Sequence, residues 1–167
     1  TGGGGAVTAA TVSTDLDGVA AVGSWTLGTQ AGLNALTVTV SEVDTVLVFT
    51  ATGTPGAPTA ITKVMGDTQT TTVGTLVSVA PMVRVADQYG NAVPRVGVTF
   101  AVASGGGTAT GASVATDAAG RAAVGSWRLG TQGGVYTLSA SVDSAAGVST
   151  TFTATALPPV KLGFVVQ

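Results

Sequence analysis

The chain has 167 residues, of which only 8% are charged, and its formal net charge is −2. Its six Lys and Arg residues are too few for the basic surface that neutralises nucleic-acid phosphates, so a nucleic-acid partner is excluded. Without His and Cys, the chain can form no Ser–His triad, no cysteine nucleophile and no disulfide bond. We therefore expect a protein that is not an enzyme.

Hydrophobic residues alternate with Thr and Ser along the chain instead of forming one long run. No apolar stretch approaches the roughly 18 residues of a membrane helix, so we expect no membrane insertion by this segment. Alternation predicts β-strands with one buried face. In residues 1–52 the apolar residues of such strands include Trp25, Val38, Val40, Val48 and Phe49. A Pro- and Gly-rich linker follows at 53–59.

Alternation is clearest after this linker. Residues 76–86 predict a strand with Val77, Val79, Val83 and Val85 on one face, interrupted at Pro81 by an edge or a bulge. Three further strands are predicted around Val96, Val98, Phe100 and Val102, around Tyr136, Leu138, Ala140 and Val142, and around Val148, Phe152 and Ala154. Gly-, Asn- and Asp-rich turns separate them. About seven short strands with this turn spacing predict an all-β sandwich.

An internal repeat determines the domain organisation. Residues 13–32 recur almost unchanged at 115–134, so that Asp15 and Trp25 are matched by Asp117 and Trp127, 102 positions later. This spacing is the length of a small β domain, and it indicates a slice of a tandem array. The predicted parts are the C-terminal half of one repeat (1–52), the linker (53–59), a complete repeat (60–157) and the first strand of a following repeat (158–167).

The complete repeat resembles a known bacterial module. VRVADQYGNAVPRVGVTFAV (83–102), TDAAGRAAVGSWRLGT (116–131) and TTFTATA (150–156) resemble, in this order, a bacterial immunoglobulin-like repeat of the Big-1 type, found in intimin/invasin-like surface proteins. The resemblance implies an immunoglobulin-like β-sandwich, one complete and one partial, at the bacterial cell surface or outside the cell. It leaves the function open, because such modules serve as spacers, as adhesive tips and as decorations of larger proteins.

Calcium is the one metal for which the sequence offers candidate ligands. Asp15 and Asp17 share a predicted turn, and Asp87 lies near Asn91, so both places offer the oxygen ligands that Ca²⁺ prefers. However, the spacing matches no EF-hand loop, and Ala119 replaces Asp17 in the second repeat. We expect no cofactor, with Ca²⁺ at these residues as the alternative.

The aromatic residues are candidates either for the core or for ligand binding. Trp25 and Trp127 recur at the same place in each repeat, which favours a role in the core over sugar stacking. We expect four core anchors: Trp25, Trp127, Phe100 and Phe152. Tyr89 and Tyr136 are the remaining candidates for an exposed, ligand-binding aromatic pair.

The two ends of the chain suggest self-association. Residues 1–52 lack equivalents of 67–103, so their strand edges and apolar faces are predicted to be exposed. The predicted last strand, with Lys161, Leu162, Phe164 and Val166, is a candidate donor to the incomplete sandwich of another molecule. That arrangement would still lack the equivalents of 67–103, so we favour ends that carry no function of their own.

These observations together favour a structural role. We expect a spacer or stalk segment of an adhesin-like surface protein, whose partners are neighbouring immunoglobulin-like repeats of the same chain. The alternatives are a module that binds a glycan or a host protein, and an extracellular fibre subunit joined by strand donation.

Overall fold

The computed structural model describes residues 3–159, and these divide between Pro55 and Gly56 into two compact units. We call residues 3–55 unit 1 and residues 56–159 unit 2. Every regular element of the described residues is a β-strand, and the all-β prediction is confirmed. None of the residues from 3 to 159 belongs to a helix that could span a membrane. The division falls inside the predicted linker 53–59, while the repeat boundaries themselves stay a prediction.

Unit 1 contains four strands and unit 2 contains ten. The strands of unit 1 are β1 (Ala6–Thr8), β2 (Ser24–Thr26), β3 (Gly32–Val40) and β4 (Val43–Gly53). Those of unit 2 are β5 (Ala60–Met65), β6 (Gln69–Thr72), β7 (Met82–Ala86), β8 (Gly97–Ser104), β9 (Thr108–Thr110), β10 (Ser113–Ala115), β11 (Arg121–Ala123), β12 (Ser126–Arg128), β13 (Gly134–Val142) and β14 (Ser149–Leu157).

Unit 2 is a β-sandwich with a single core. One sheet has five strands in the order β10-β8-β13-β14-β6, and another has three in the order β11-β7-β5. All pairs are antiparallel except β14 with β6, which run parallel. Val83 and Val85 of the smaller sheet share a buried cluster with Phe100, Leu138 and Phe152 of the larger one. The two sheets thus cover each other's apolar faces, as the immunoglobulin-like sandwich prediction requires.

The alternating pattern of β13 and β14 places one face of each strand in this core. Tyr136, Leu138, Ala140 and Val142 are all buried, whereas the intervening Thr and Ser residues point away from the core. Leu138 lies directly opposite Phe152 in the antiparallel ladder. Cross-strand pairs of this kind are the units by which side chains stabilise a sheet.

The prediction of one strand over 76–86 is wrong in its first half. The strand begins only at Met82, and Val79 is 41% exposed instead of sharing the buried face of Val83. The Gln69 side chain causes this difference. Its Oε1 accepts hydrogen bonds from Val79 N (2.8 Å) and Ser78 Oγ (3.0 Å), and its Nε2 donates to the Val79 carbonyl (2.7 Å). These bonds hold the segment as a loop against β6.

The sequence repeat is also a repeat of local structure. In unit 1, β1 pairs with β2 so that Val7 lies opposite Trp25; in unit 2, β9 pairs with β12 so that Ala109 lies opposite Trp127. These partners are 102 positions apart in both strands, so the register is the same. Each pair of strands also carries a hydroxyl–hydroxyl hydrogen bond, of 2.8 Å in unit 1 and 2.7 Å in unit 2. Both indole N–H groups are buried without a hydrogen-bond partner.

The two Trp residues differ in burial, which gives a test. Trp127 is fully buried in unit 2, whereas Trp25 in unit 1 is half-buried. We expect Trp127→Ala to lower the free energy of unfolding of unit 2 by about 3–5 kcal/mol, because it leaves a large cavity. The matched Trp25→Ala should leave the unfolding of unit 2 unchanged. Hydrogen exchange of the β13 and β14 backbone amides, measured at increasing denaturant concentration, reports the unfolding of unit 2 in both variants. An effect of Trp127→Ala near zero would contradict the core role.

Candidate functional site

Three turns of the chain share one construction around an Asp carboxylate. The turns begin at Asp15, Asp87 and Asp117, and each has Gly three residues later. In each turn Oδ1 accepts hydrogen bonds from the backbone N–H groups two and four residues on, at 2.8–3.0 Å. The Gly adopts positive φ in all three, between 72° and 82°. Asp at the first position and Gly at the fourth are what such a turn requires.

The calcium candidates lie within these turns. Asp15 uses Oδ1 to cap its own turn, with Asp17 supplying one of the two backbone donors. Asp87 and Asn91 face each other, but as hydrogen-bond partners: Asn91 Nδ2 donates to Asp87 Oδ2 at 2.9 Å. No group of three or more acidic side chains that could hold a metal ion occurs in the described part of the chain. Calcium binding stays an untested alternative, and its candidate ligands already have hydrogen-bonding roles.

Asp87 differs from the other two turn residues because it also binds the start of unit 2. Its Oδ2 accepts a hydrogen bond from Gly56 N at 2.9 Å, across 31 residues of sequence. The carboxylate is buried and receives four hydrogen bonds in total, from Gly56, Tyr89 and Asn91. Asp87 therefore fixes the backbone of the predicted linker where it enters unit 2. Sequence reasoning missed this contact, because the DxxG spacing indicates the turn but not its distant partner.

These hydrogen bonds stabilise the charged form of the carboxyl group. The side-chain amide of Asn91 contributes most, and the backbone N–H groups of Gly56, Asn91 and Tyr89 add to it. Against the opposing effect of desolvation, they lower the pKa of Asp87 from 3.8 to about 2.

A second carboxylate joins the two sheets of unit 2. Asp67 Oδ2 lies 2.5 Å from Lys63 Nζ, and its Oδ1 accepts a hydrogen bond from Thr153 N at 2.9 Å. Lys63 lies on β5 and Thr153 on β14, so the pair connects strands of different sheets. Burial opposes the ionisation of Asp67, but the hydrogen bonds from Lys63, Thr153 and Thr68 outweigh it and lower the pKa.

The aromatic candidates do not form a binding pair. Tyr89 is 53% exposed in its turn, but Tyr136 is only 2% exposed, and its hydroxyl donates to the Gln132 carbonyl at 2.6 Å. Tyr136 therefore lies on the buried face that the alternation predicted, and not in an exposed aromatic pair. Its ring faces the core, and a backbone carbonyl satisfies its one polar atom. Of the expected core anchors, Phe100, Phe152 and Trp127 are buried in unit 2.

Unit 1 contains an open cleft whose lining combines apolar side chains with Thr and Ser. Its volume is about 1450 Å³, and none of its lining residues is charged. One wall is formed by β3 and β4, where Leu36 pairs with Phe49 and Val38 with Leu47. Phe49 is 55% exposed and Leu47 52%. Val48, which the sequence grouped with these residues, lies on the opposite face of β4. The candidate strand donor Lys161, Leu162, Phe164 and Val166 lies outside the described residues.

Comparison with known proteins gives similarity to solved structures alone. No protein-family model matches the chain, and no curated protein matches it in sequence. The adhesin InvE of Yersinia pseudotuberculosis is 22% identical with a TM-score of 0.47, over 78% of this chain and 41% of that one. The D00-D0 domain of intimin is 16% identical with a TM-score of 0.46, over 93% of this chain and 79% of that one.

The D0-D1 domain of intimin is 20% identical with a TM-score of 0.42, over 94% of this chain and 74% of that one. These likenesses concern the fold alone, and the chain spans less than half the length of the InvE structure.

The lowered pKa of Asp87 predicts a pH dependence of unit 2. A depressed pKa in the folded state stabilises the fold fully above the unfolded value of 3.8, and this contribution is lost as the pH falls through about 2. We expect Asp87→Asn to flatten the loss of stability over this range. The control Asp44→Asn, in unit 1, should leave the profile unchanged. Denaturation midpoints of unit 2 measured at several pH values provide the test, and parallel profiles for wild type and Asp87→Asn would contradict it.

A metal titration tests the expectation of no cofactor. Because the carboxylates of Asp15 and Asp87 already accept backbone N–H groups, we expect the melting temperature to be the same with Ca²⁺, with Mg²⁺ and with a chelator. A rise with Ca²⁺ alone that disappears in Asp87→Asn would establish a calcium site instead.

Proposed function

We propose that this chain is a spacer segment of a bacterial cell-surface or secreted adhesin-like protein, in which tandem immunoglobulin-like repeats form a stalk. The observation that carries the proposal is the recurrence of one local architecture, with the same strand register and the same Asp-capped turn, 102 residues apart. A repeated unit with its own core adds length each time it is added. A spacer of this kind needs no catalytic residue and no bound ligand.

The outer face of unit 2 supports a passive role. On β13 and β14 most outward positions are occupied by Thr and Ser, including Thr137, Ser139, Thr151, Thr153 and Thr155, while Val135 and Leu157 lie exposed at one end of this face. Small uncharged side chains of this kind present neither an apolar patch nor a charged surface to a partner. A glycan-binding function is less well supported, because Tyr136 is buried and Tyr89 is left without a second exposed aromatic residue beside it in its turn.

The anchored linker is the mechanical part of the proposal. The hydrogen bond between Gly56 and Asp87 restricts the backbone at the entry to unit 2, and Pro55 and Pro58 restrict φ on either side of it. A linker with restricted torsions keeps successive repeats extended better than a Gly- and Ser-rich one.

The spacer function predicts a constant length increment. We expect the full chain with one, two or three additional copies of residues 56–157 inserted after Leu157 to gain the same maximum dimension for each copy in small-angle X-ray scattering. Versions with Asp87→Ala in every copy should show a broader distribution of lengths, because the linker is released. A dimension that stays constant as copies are added would contradict the spacer role, and so would saturable binding to a glycan array.

A further inference from the structure

The two sheets of unit 2 have different outer faces. The outer face of β13 and β14 consists mostly of Thr and Ser. On the smaller sheet, Val83 and Ala122 are buried in the core, so the positions next to them on β7 and β11 point outward. These positions, together with the residues opposite them on β5, are Thr62, Met65, Met82, Arg84, Arg121 and Ala123. We call these six residues the Met–Arg face.

Two cations lie next to each other on the Met–Arg face. Arg84 and Arg121 are directly opposite in the β7–β11 ladder, where Cβ atoms are about 4.5–5.5 Å apart. Arg84 Nη2 donates to the Gly90 carbonyl at 2.9 Å, and the ion pair of Lys63 with Asp67 is the only one among residues 3–159. Like charges directly opposite each other destabilise a ladder. A carboxylate between the two guanidinium groups would therefore stabilise this sheet.

The fold does not require this pair of charges. The position that matches Arg121 in the first repeat is Val19, and the turn before it has the same backbone hydrogen bonds to Asp15 as unit 2 has to Asp117. In unit 2 the Asp117 carboxylate accepts the N–H groups of Ala119 and Arg121 and forms no ion pair with the guanidinium group. The turn thus forms without an Arg at this position, and the charge is available to a partner.

The apolar part of the face consists of the two methionines of the chain. Met65 lies opposite Met82 in the β5–β7 ladder and is 47% exposed. Tyr89, which is also exposed, lies in the turn that Arg84 binds through the Gly90 carbonyl. Met, Tyr and Arg are enriched at protein interfaces, whereas Lys and Ser are depleted. The face therefore has the composition of a protein-binding surface that favours an anionic partner.

Unit 1 carries a segment that fits this surface. Its charged residues are all acidic: Asp15, Asp17, Glu42 and Asp44. The first two flank Leu16, whose side chain is fully exposed. Asp17 uses its backbone N–H within the turn, but its carboxylate has no hydrogen bond and no ion pair among residues 3–159. An exposed Leu beside a free carboxylate complements a pair of methionines beside a pair of arginines.

The matching turn of unit 2 shows that this exposure is a property of the turn. Residues 117–119 match residues 15–17 and are exposed as well, although unit 2 buries its apolar residues in one core. Their sequence is Asp–Ala–Ala instead of Asp–Leu–Asp. The additional Leu and carboxylate thus occur only in unit 1, and the Arg at position 121 occurs only in unit 2. These two differences between the repeats are complementary in charge.

We propose that the Met–Arg face of one copy of this chain binds the turn of residues 15–17 of a second copy. The Asp17 carboxylate lies between Arg84 and Arg121, and Leu16 packs against the methionines. A free phosphate ion would satisfy the guanidinium groups but would leave the methionines exposed. The contact area is small, so the affinity of one contact is low and increases where several contacts form between the same two chains. This lateral association goes beyond the spacer function and does not depend on it.

Sedimentation equilibrium of the whole chain, from micromolar to millimolar concentration, tests the proposal. We expect the weight-average mass to rise above that of the monomer at low salt and to fall back at high salt, because salt screens exposed charges. A chain that stays monomeric at low salt would overturn the second copy as the partner. If that monomer still bound the free peptide of residues 13–20, the occupant would be an acidic segment of another protein.

Two variants separate the two sides of the contact. The turn variant, Leu16→Ala with Asp17→Ala, has the sequence that already forms the turn at Asp117, so we expect it to fold. The face variant, Arg121→Gln, keeps the hydrogen bond of Arg84. Each should associate about ten- to a hundredfold more weakly than the wild type, as the loss of a charge-assisted hydrogen bond predicts. At concentrations where each is monomeric alone, an equal mixture should form a dimer, because one variant has an intact face and the other an intact turn.

Matched controls remove a charge elsewhere in the same units. Arg95→Gln in unit 2 and Asp44→Asn in unit 1 should associate like the wild type. Hydrogen exchange of the β13 and β14 amides verifies that unit 2 is folded in every variant. Association that is unchanged in both the turn variant and the face variant would overturn the proposal, and so would a mixture of the two that stays monomeric.

Discussion

A β-sheet with one apolar face is stable in water only when that face is covered, and the two units of this chain differ in how they meet this constraint. In unit 2 the five-stranded and three-stranded sheets cover each other, and Leu138 and Phe152 have no contact with solvent. In unit 1 the equivalent strands form a sheet of two, and Phe49 stays more than half exposed. Isolated two-stranded sheets are only marginally stable. Unit 1 therefore lacks much of the stabilisation that unit 2 obtains by burying the equivalent face.

Local structure, by contrast, does not depend on the completed core. The Asp-capped turns at Asp15 and Asp117 have the same hydrogen bonds in both units, and β1–β2 and β9–β12 have the same register. Gly18 and Gly120 both adopt the positive φ that the fourth position of the turn demands. These devices act within a few residues, since a carboxylate and a Gly are enough to direct the chain back on itself. The turn thus forms wherever the sequence repeats, whether or not the sheet above it is covered.

What could be predicted from the sequence follows the same division. Alternation identified the buried face of β13 correctly, from Tyr136 to Val142, because strand side chains alternate between faces without regard to distant residues. The same rule failed at Val79, where hydrogen bonds to the Gln69 side chain replace the ladder. It also gave no sign of the bond between Gly56 and Asp87, which joins residues 31 positions apart. Hydrogen bonds between a side chain and a distant part of the backbone produce no periodic pattern in the sequence, so alternation cannot predict them.

The energies involved explain why the exposed face of unit 1 matters. Complete burial of a Val, Leu or Phe side chain contributes about 1.5–3 kcal/mol. Leu36, Val38, Val40, Leu47 and Phe49 all line the cleft, and the last three are more than half exposed. The free energy gained by covering them would be a substantial fraction of the free energy of unfolding of a typical domain, which is about 5–15 kcal/mol. Unit 2 obtains this contribution in part from Val83, Val85 and Phe100, which share a buried cluster with Leu138 and Phe152.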